Sequence, residues 1–135
     1  MRNSRLQGAN LHRANLHQAE LTLLDLNGAD LGGADLRQAD LIGADLRGAN
    51  LHEPDGEVHR GKAADLRGAD LRGAKLAGVN LVGVSLAGAD LRGANLAGAD
   101  LRSADLRQAG LRRAKGVSRE VTANSGAHTD DTTRW

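Results

Sequence analysis

Leucine recurs every five residues along this chain. It stands at every fifth position from Leu6 to Leu51 and again from Leu66 to Leu111, which makes twenty units. Two residues before each of these leucines stands Ala in 16 units, with Ser4, Leu24, Val79 and Val84 as the exceptions. Asp or Asn immediately precedes the Leu in 15 units, and Gly follows two residues after it in 12. An α-helix advances about 100° per residue, so successive leucines would sit about 140° apart and bury no stripe. A flat strand alternates with period two, and an odd period throws successive leucines onto opposite faces.

A very short strand followed by a corner satisfies the period. The Leu and the Ala two before it share a parity and point inward. The Asp or Asn between them points outward, as does the residue after the Leu. The corner falls at the two residues after the Leu, where Gly supplies φ > 0 at the third position of a type II turn. With corners of about 90°, four units close a square coil of twenty residues, and coils stack at about 4.8 Å. The interior is then alternating layers of Leu and Ala. Such a bore is too narrow for rings, which accounts for an aromatic content of 1%, a single Trp with no Tyr or Phe.

The pattern Ala-(Asp/Asn)-Leu-X-X, as in Ala34-Asp35-Leu36-Arg37-Gln38 and Ala69-Asp70-Leu71-Arg72-Gly73, resembles the pentapeptide-repeat family. The resemblance covers roughly residues 4–51 and 64–115. It implies an all-β fold, a right-handed quadrilateral parallel β-helix. A leucine-rich repeat is the nearest rival, but its unit is longer and its Leu spacing uneven. Twenty units give about five coils, some 24 Å tall. Leu36, Leu71, Leu91 and Leu101 represent the core centres.

Residues 1–115 are expected to form the β-helix, with an interruption at 52–63. That segment holds the chain's Pro, and Pro54-Asp55-Gly56 is a turn signal. Leu51 and Leu66 are 15 residues apart, a multiple of five, so two readings stay open. The segment is a surface loop, or it replaces two units in place; the loop is preferred because Pro54 and His59 would otherwise occupy small inward positions. Residues 116–135 carry no repeat and are rich in Ser, Thr and Asp, so they read as a mostly disordered tail with a helical turn around Val117–Val121. A solenoid needs capped ends. No cap precedes Leu6, while the tail, with Trp135, is placed to cover the other end. An uncovered end exposes Leu and unpaired strand edges and invites a homodimer through an exposed coil end.

Net charge is +1, so no overall field selects nucleic acid or an anionic membrane. The distribution is uneven. Residues 1–51 carry 5 basic and 6 acidic side chains, and residues 64–115 carry 9 and 5. Residues twenty apart share a column, which places Arg72, Arg92 and Arg112 in a vertical line, a candidate strip for carboxylates or phosphates. Its competing reading is a solvated face neutralised by Asp70 and Asp90. The Asp/Asn column is read as structural, its short side chains bonding neighbouring backbone. Ala77, Val82, Ala87, Ala97 and Ile42 form an apolar outward set.

No catalytic, cofactor-binding or metal site is assigned. The chain has no Cys, its glycines lie singly at corners, and no nucleophile–base pair is marked. The richest metal-ligand cluster, His52 to His59, matches no ligand spacing, and His12 lies too far from His52 for one ion. No apolar run is long enough to insert in a membrane and no secretory signal is visible, so a cytoplasmic protein is expected. The expected function is a non-enzymatic scaffold for an unknown protein partner with an acidic surface, and no small-molecule substrate. The alternatives are a duplex-DNA mimic that binds a type II topoisomerase (gyrase), as in quinolone-resistance members of the family, and a weak nucleic-acid binder acting through the C-terminal arginines. The mimic would need a more acidic, longer rod.

Overall fold

The computed structural model describes residues 5–51 and 63–135. Its repeat region is a stack of parallel bridges, one per unit. Asp70 pairs with Asp90, Lys75 with Asn95, Asn80 with Asp100 and Ser85 with Asp105, each step being one four-unit coil. In an inner unit such as Asp90–Ala94 every backbone amide has an identifiable destination, as buried polar groups require. The Leu amide donates to the next coil, as Leu6 N does to Asp25 O at 2.8 Å. The amide two residues on does likewise, Gly8 N to Asn27 O at 2.9 Å. The residue before the Leu donates back to the previous coil, Asp30 N to Ala9 O at 2.9 Å. The Ala amide closes the corner, Ala9 N to Leu6 O at 3.0 Å. Where Asp or Asn precedes the Leu, its side chain serves the fifth amide, as described below.

The corner geometry imposes a positive φ on its third residue whatever its identity. Gly28 has φ 68°, and Gln38 and Leu23 have φ 58° at equivalent positions. Glycine is therefore the low-strain choice at the corner, and the non-glycine corners each carry a cost of order 1 kcal/mol.

The inward layers are dry. Leu36, Leu71, Leu91 and Leu101 are all buried, as are the intervening Ala34, Ala69, Ala89 and Ala104. Burial differs between the ends. Leu6, Leu11 and Leu16 of the first coil are half-buried, whereas Leu96, Leu101, Leu106 and Leu111 of the last are fully buried.

The C-terminal segment makes that difference. Residues 116–135, expected to be mostly disordered, are instead folded over the last coil. Helix α1 runs Arg119–Ser125, with Ser118 Oγ accepting from Val121 N and Gly126 ending it in the left-handed conformation. The chain then adds two further bridges to the stack, Asp105 with His128 and Gly110 with Arg134. Thr133 Oγ1 donates to Leu106 O at 3.0 Å. Val117, Ala127 and Trp135 pack on the leucines beneath. The composition suggested disorder because Ser, Thr and Asp bury little apolar area. The stack's end overrides it by offering unpaired backbone and exposed leucine to any segment that can reach. Gly116 begins the excursion, with φ 76°, and a methyl there would overlap the backbone of Leu96 and Ala97.

Most of the interruption expected at 52–63, residues 52–62, lies outside the described residues. The register on either side is described. Asp35 pairs with Asp65 and Asp45 with Lys75, thirty residues apart rather than twenty, and Ala64 N donates to Leu51 O at 2.8 Å.

Inward and outward parity can be tested at neighbouring residues. Leu91→Asp places a charge in the dry layer and should cost more than roughly 3 kcal/mol in urea unfolding. Arg92→Ala, on the outer surface, should cost about 0.5 kcal/mol. Equal losses would contradict the parity.

Candidate functional site

Because each unit forms one side of a coil, outward residues of paired units stack. The bridges Asp40–Asp70–Asp90–Gly110–Arg134 define one such side. On it Thr22, Ile42, Arg72, Arg92 and Arg112 form the column of residues that follow leucines. Arg72, Arg92, Gly93, Arg112 and Arg113 together line an open depression of about 380 Å³. The three column arginines are thus brought together.

Their electrostatic states differ. In every unit that has Asp followed two residues later by Arg, the guanidinium folds back onto that carboxylate. Arg92 Nε lies 2.8 Å from Asp90 Oδ1 and Nη2 lies 2.5 Å from Oδ2. The same fork recurs at Arg37, Arg47, Arg67, Arg72, Arg102 and Arg107 on Asp35, Asp45, Asp65, Asp70, Asp100 and Asp105. Arg72 also reaches Asp90 in the next coil at 3.9 Å. Arg112 follows Gly110 and therefore has no carboxylate in this position. Among the described residues, neither Arg112 nor Arg134 has an acidic partner.

The carboxylates have a second task. Asp35 Oδ1 accepts from Arg37 N at 3.1 Å, and Asp90 Oδ1 from Arg92 N at 3.1 Å. Asparagine does the same, Asn80 Oδ1 accepting from Val82 N and Asn95 Oδ1 from Ala97 N. This is the fifth amide of the unit. The Asp/Asn column is thus part of the corner, bonding local backbone as short polar side chains do. The Arg37 guanidinium, helped by the Arg37 backbone amide, holds the Asp35 carboxyl down at about 2. Asp45, Asp90, Asp100 and Asp105 are lowered by the same forks.

The apolar outward set is dispersed. Ala77 and Ala97 share one side, Val82 lies on the next, Ala87 on a third, and Ile42 lies beneath Arg72. Consecutive units occupy consecutive sides, so proximity in sequence does not make a patch. The cluster His52–His59 falls outside the described residues, and among the described residues no group of His, Asp and Glu could hold a metal ion. Among the described residues, no helix is long and apolar enough to cross a membrane.

Sequence reasoning missed a second depression, at the C-terminal end, with about 600 Å³ of open space lined by Asp90, Arg92, Gln108, Arg112, Arg134 and Trp135 among others. Arg119 lies over the Trp135 ring, 5.8 Å from its centroid. Gly110 was the available signal: it is the repeat's sole glycine in the Asp/Asn position.

A family model for pentapeptide repeats matches in eight copies, over residues 1–33, 19–53, 64–102 and 80–115. Among solved structures, HetL, a pentapeptide repeat protein involved in heterocyst differentiation regulation from the cyanobacterium Nostoc sp. strain PCC 7120, is 30% identical with a TM-score of 0.54. The match covers 94% of this chain and 60% of HetL, so the chain spans about three fifths of that protein's length. Rfr23, a pentapeptide repeat protein from the cyanobacterium Cyanothece 51142, is 27% identical with a TM-score of 0.44, over 98% of this chain and 88% of that one. QnrB1, a plasmid-mediated fluoroquinolone resistance protein, is 18% identical with a TM-score of 0.33, over 96% and 81%. No curated protein matches the chain.

Two outcomes test the role given to the aspartates. Asp90→Asn keeps the acceptor for the Arg92 amide and should cost about 0.5 kcal/mol, whereas Asp90→Ala removes it and should cost about 1–2 kcal/mol, as for a lost helix cap. Equal costs in thermal unfolding would assign the aspartate to charge alone. The lowered carboxyls also set an acid limit. A native Asp35 near 2, against an ordinary 3.8, gives stability that is fully present above the ordinary value. Urea midpoints should therefore be flat down to about pH 5 and fall as the pH drops through about 4 toward 2. A midpoint that rises on acidification would contradict the forks.

Proposed function

Since this chain belongs to the pentapeptide-repeat family, we propose that it is a non-enzymatic scaffold, a right-handed quadrilateral β-helix of about five coils that docks a protein partner along its Arg72–Arg92–Arg112 side. The family is one of structural and interaction proteins, and nothing in the comparisons shows catalysis. The observation that carries the reading is the depression lined by Arg72, Arg92, Gly93, Arg112 and Arg113. It supplies donors and positive charge to an approaching surface and no group arranged to make or break a bond. The fork occupies only Nε and Nη2 of Arg72 and Arg92, leaving each guanidinium with further donors in a rigid orientation. An acidic partner suits this side, and a cytoplasmic setting fits it.

The half-buried Leu6, Leu11 and Leu16 favour one further contact, pairing of two copies through their first coils. The duplex-DNA mimic has weaker support. An acidic track is what such a rod must display, and here seven aspartates are each closed by an arginine. The same forks weaken the case for nucleic-acid binding.

Replacing Arg72, Arg92 and Arg112 together with Glu should leave the circular dichroism spectrum intact and reduce capture of the native partner, mainly through the on-rate. Raising salt from about 0.1 M to 1 M should weaken wild-type capture, because the Debye length falls from about 10 to 3 Å. Capture indifferent to the triple substitution would remove this side as the docking surface. Strong inhibition of gyrase supercoiling by the wild-type chain would favour the DNA mimic instead.

A further inference from the structure

Gly110 breaks the local rule that neutralises this surface. Elsewhere in the repeat, an Arg after a Leu finds Asp two residues earlier. At Gly110 the side chain is missing, and the guanidinium of Arg112 is left without its fork. Sterics do not demand the glycine. Its φ is not positive, and a Cβ there would meet its nearest neighbour, Asp90 Oδ1, at an ordinary 3.5 Å. The C-terminal segment then adds charge to the same place. Arg134 pairs with Gly110 as the next rung, its amide donating to Ala109 O at 2.8 Å, so a second arginine without an acidic partner stands above the first.

Trp135 follows immediately and lines the cleft with Arg92, Arg112, Arg134 and Gln108. Asp90 is the acid among the lining residues, and it is held by Arg92. Two uncommitted guanidiniums, an amide and an indole thus face one open space of about 600 Å³. Guanidiniums bind carboxylates bidentately, and an indole accepts the aliphatic part of a side chain or backbone. The space is in the range of sites for molecules of many atoms, well beyond one small ion.

We propose that this cleft, formed by Arg112, Arg134, Trp135 and the gap at Gly110, binds a carboxylate-bearing acidic peptide segment of the partner protein. The inference rests on the scaffold reading and narrows it to one end of the rod.

Trp135 is the chain's one tryptophan and a built-in reporter. The full chain is titrated at low salt with a short, tryptophan-free peptide of Asp, Glu and Leu. Parallel titrations use the same peptide carrying Asn and Gln in place of the acids, and inorganic phosphate at matched ionic strength. The acidic peptide should change Trp135 emission saturably, and the amide peptide and phosphate should not. Gly110→Asp restores the repeat's own pattern and so should fold. Its introduced carboxylate should engage Arg112 and weaken peptide binding by at least about tenfold. Arg102→Ala, on another side of the coil, should bind as wild type. Undiminished binding by Gly110→Asp, equal binding of the amide peptide, or phosphate competing at the same concentration would each overturn the proposal. Partner capture separates the two readings. Capture lost in the triple Arg→Glu variant but retained in Gly110→Asp sinks the cleft and leaves the scaffold standing.

Discussion

In an inner repeat unit such as Asp90–Ala94 four backbone amides find carbonyls, three of them on adjacent coils and one across the corner. The fifth, on the residue after the Leu, points where no carbonyl waits. An aspartate or asparagine two residues earlier bends back to meet it, as Asp70 does for Arg72 and Asn95 for Ala97. Fifteen of the twenty units supply that short side chain, and a corner without it, as at Leu111–Ala114 after Gly110, still closes through the Ala amide. An unpaired amide at each turn would cost free energy comparable to a lost hydrogen bond, repeated unit after unit. The preference for Asp or Asn before the Leu is therefore a backbone requirement, and the acidic surface is its by-product.

That requirement explains how charge is distributed over the rod. Each corner aspartate brings a negative charge, and at seven of them an arginine two residues on closes over it. The paired side chains remain open to solvent, 55% exposed for Arg92 and 30% for Asp90, so each pair contributes little to stability. Its effect is on recognition. Paired charges cancel at a distance and act only on a partner that comes close. Departures from the pairing then carry more information than the pairing itself, and the side bearing Gly110 and Arg134 is where an arginine after a repeat Leu is left without its aspartate.

The period of five determined the inward layers before any coordinates, because few backbone shapes return the same parity every fifth residue. Leu91 and Arg92 fall on opposite surfaces for that reason alone. The register across the interruption was not legible. Leu51 and Leu66 differ by a multiple of five, so both readings of 52–63 kept the leucines in phase, and only the pairing of Asp35 with Asp65 places the columns. The C-terminal cap was harder still. His128 and Arg134 join the stack through backbone atoms, which leave no mark on side-chain pattern, and Thr133 is buried to reach Leu106 O. Of the cleft, Arg112 was visible in the sequence as one of a column, while its lack of a partner required knowing that the fork exists.

The thirty-residue step between Asp35 and Asp65 shows that core and surface obey different arithmetic. The interior repeats every unit and the exterior every fourth. Removing one unit would leave the leucine layers in phase while turning every column beyond it by a quarter turn. The rod therefore behaves like a combination lock, in which a slip of five residues dials a new alignment of charges against an unchanged barrel. A change of twenty alters only its length.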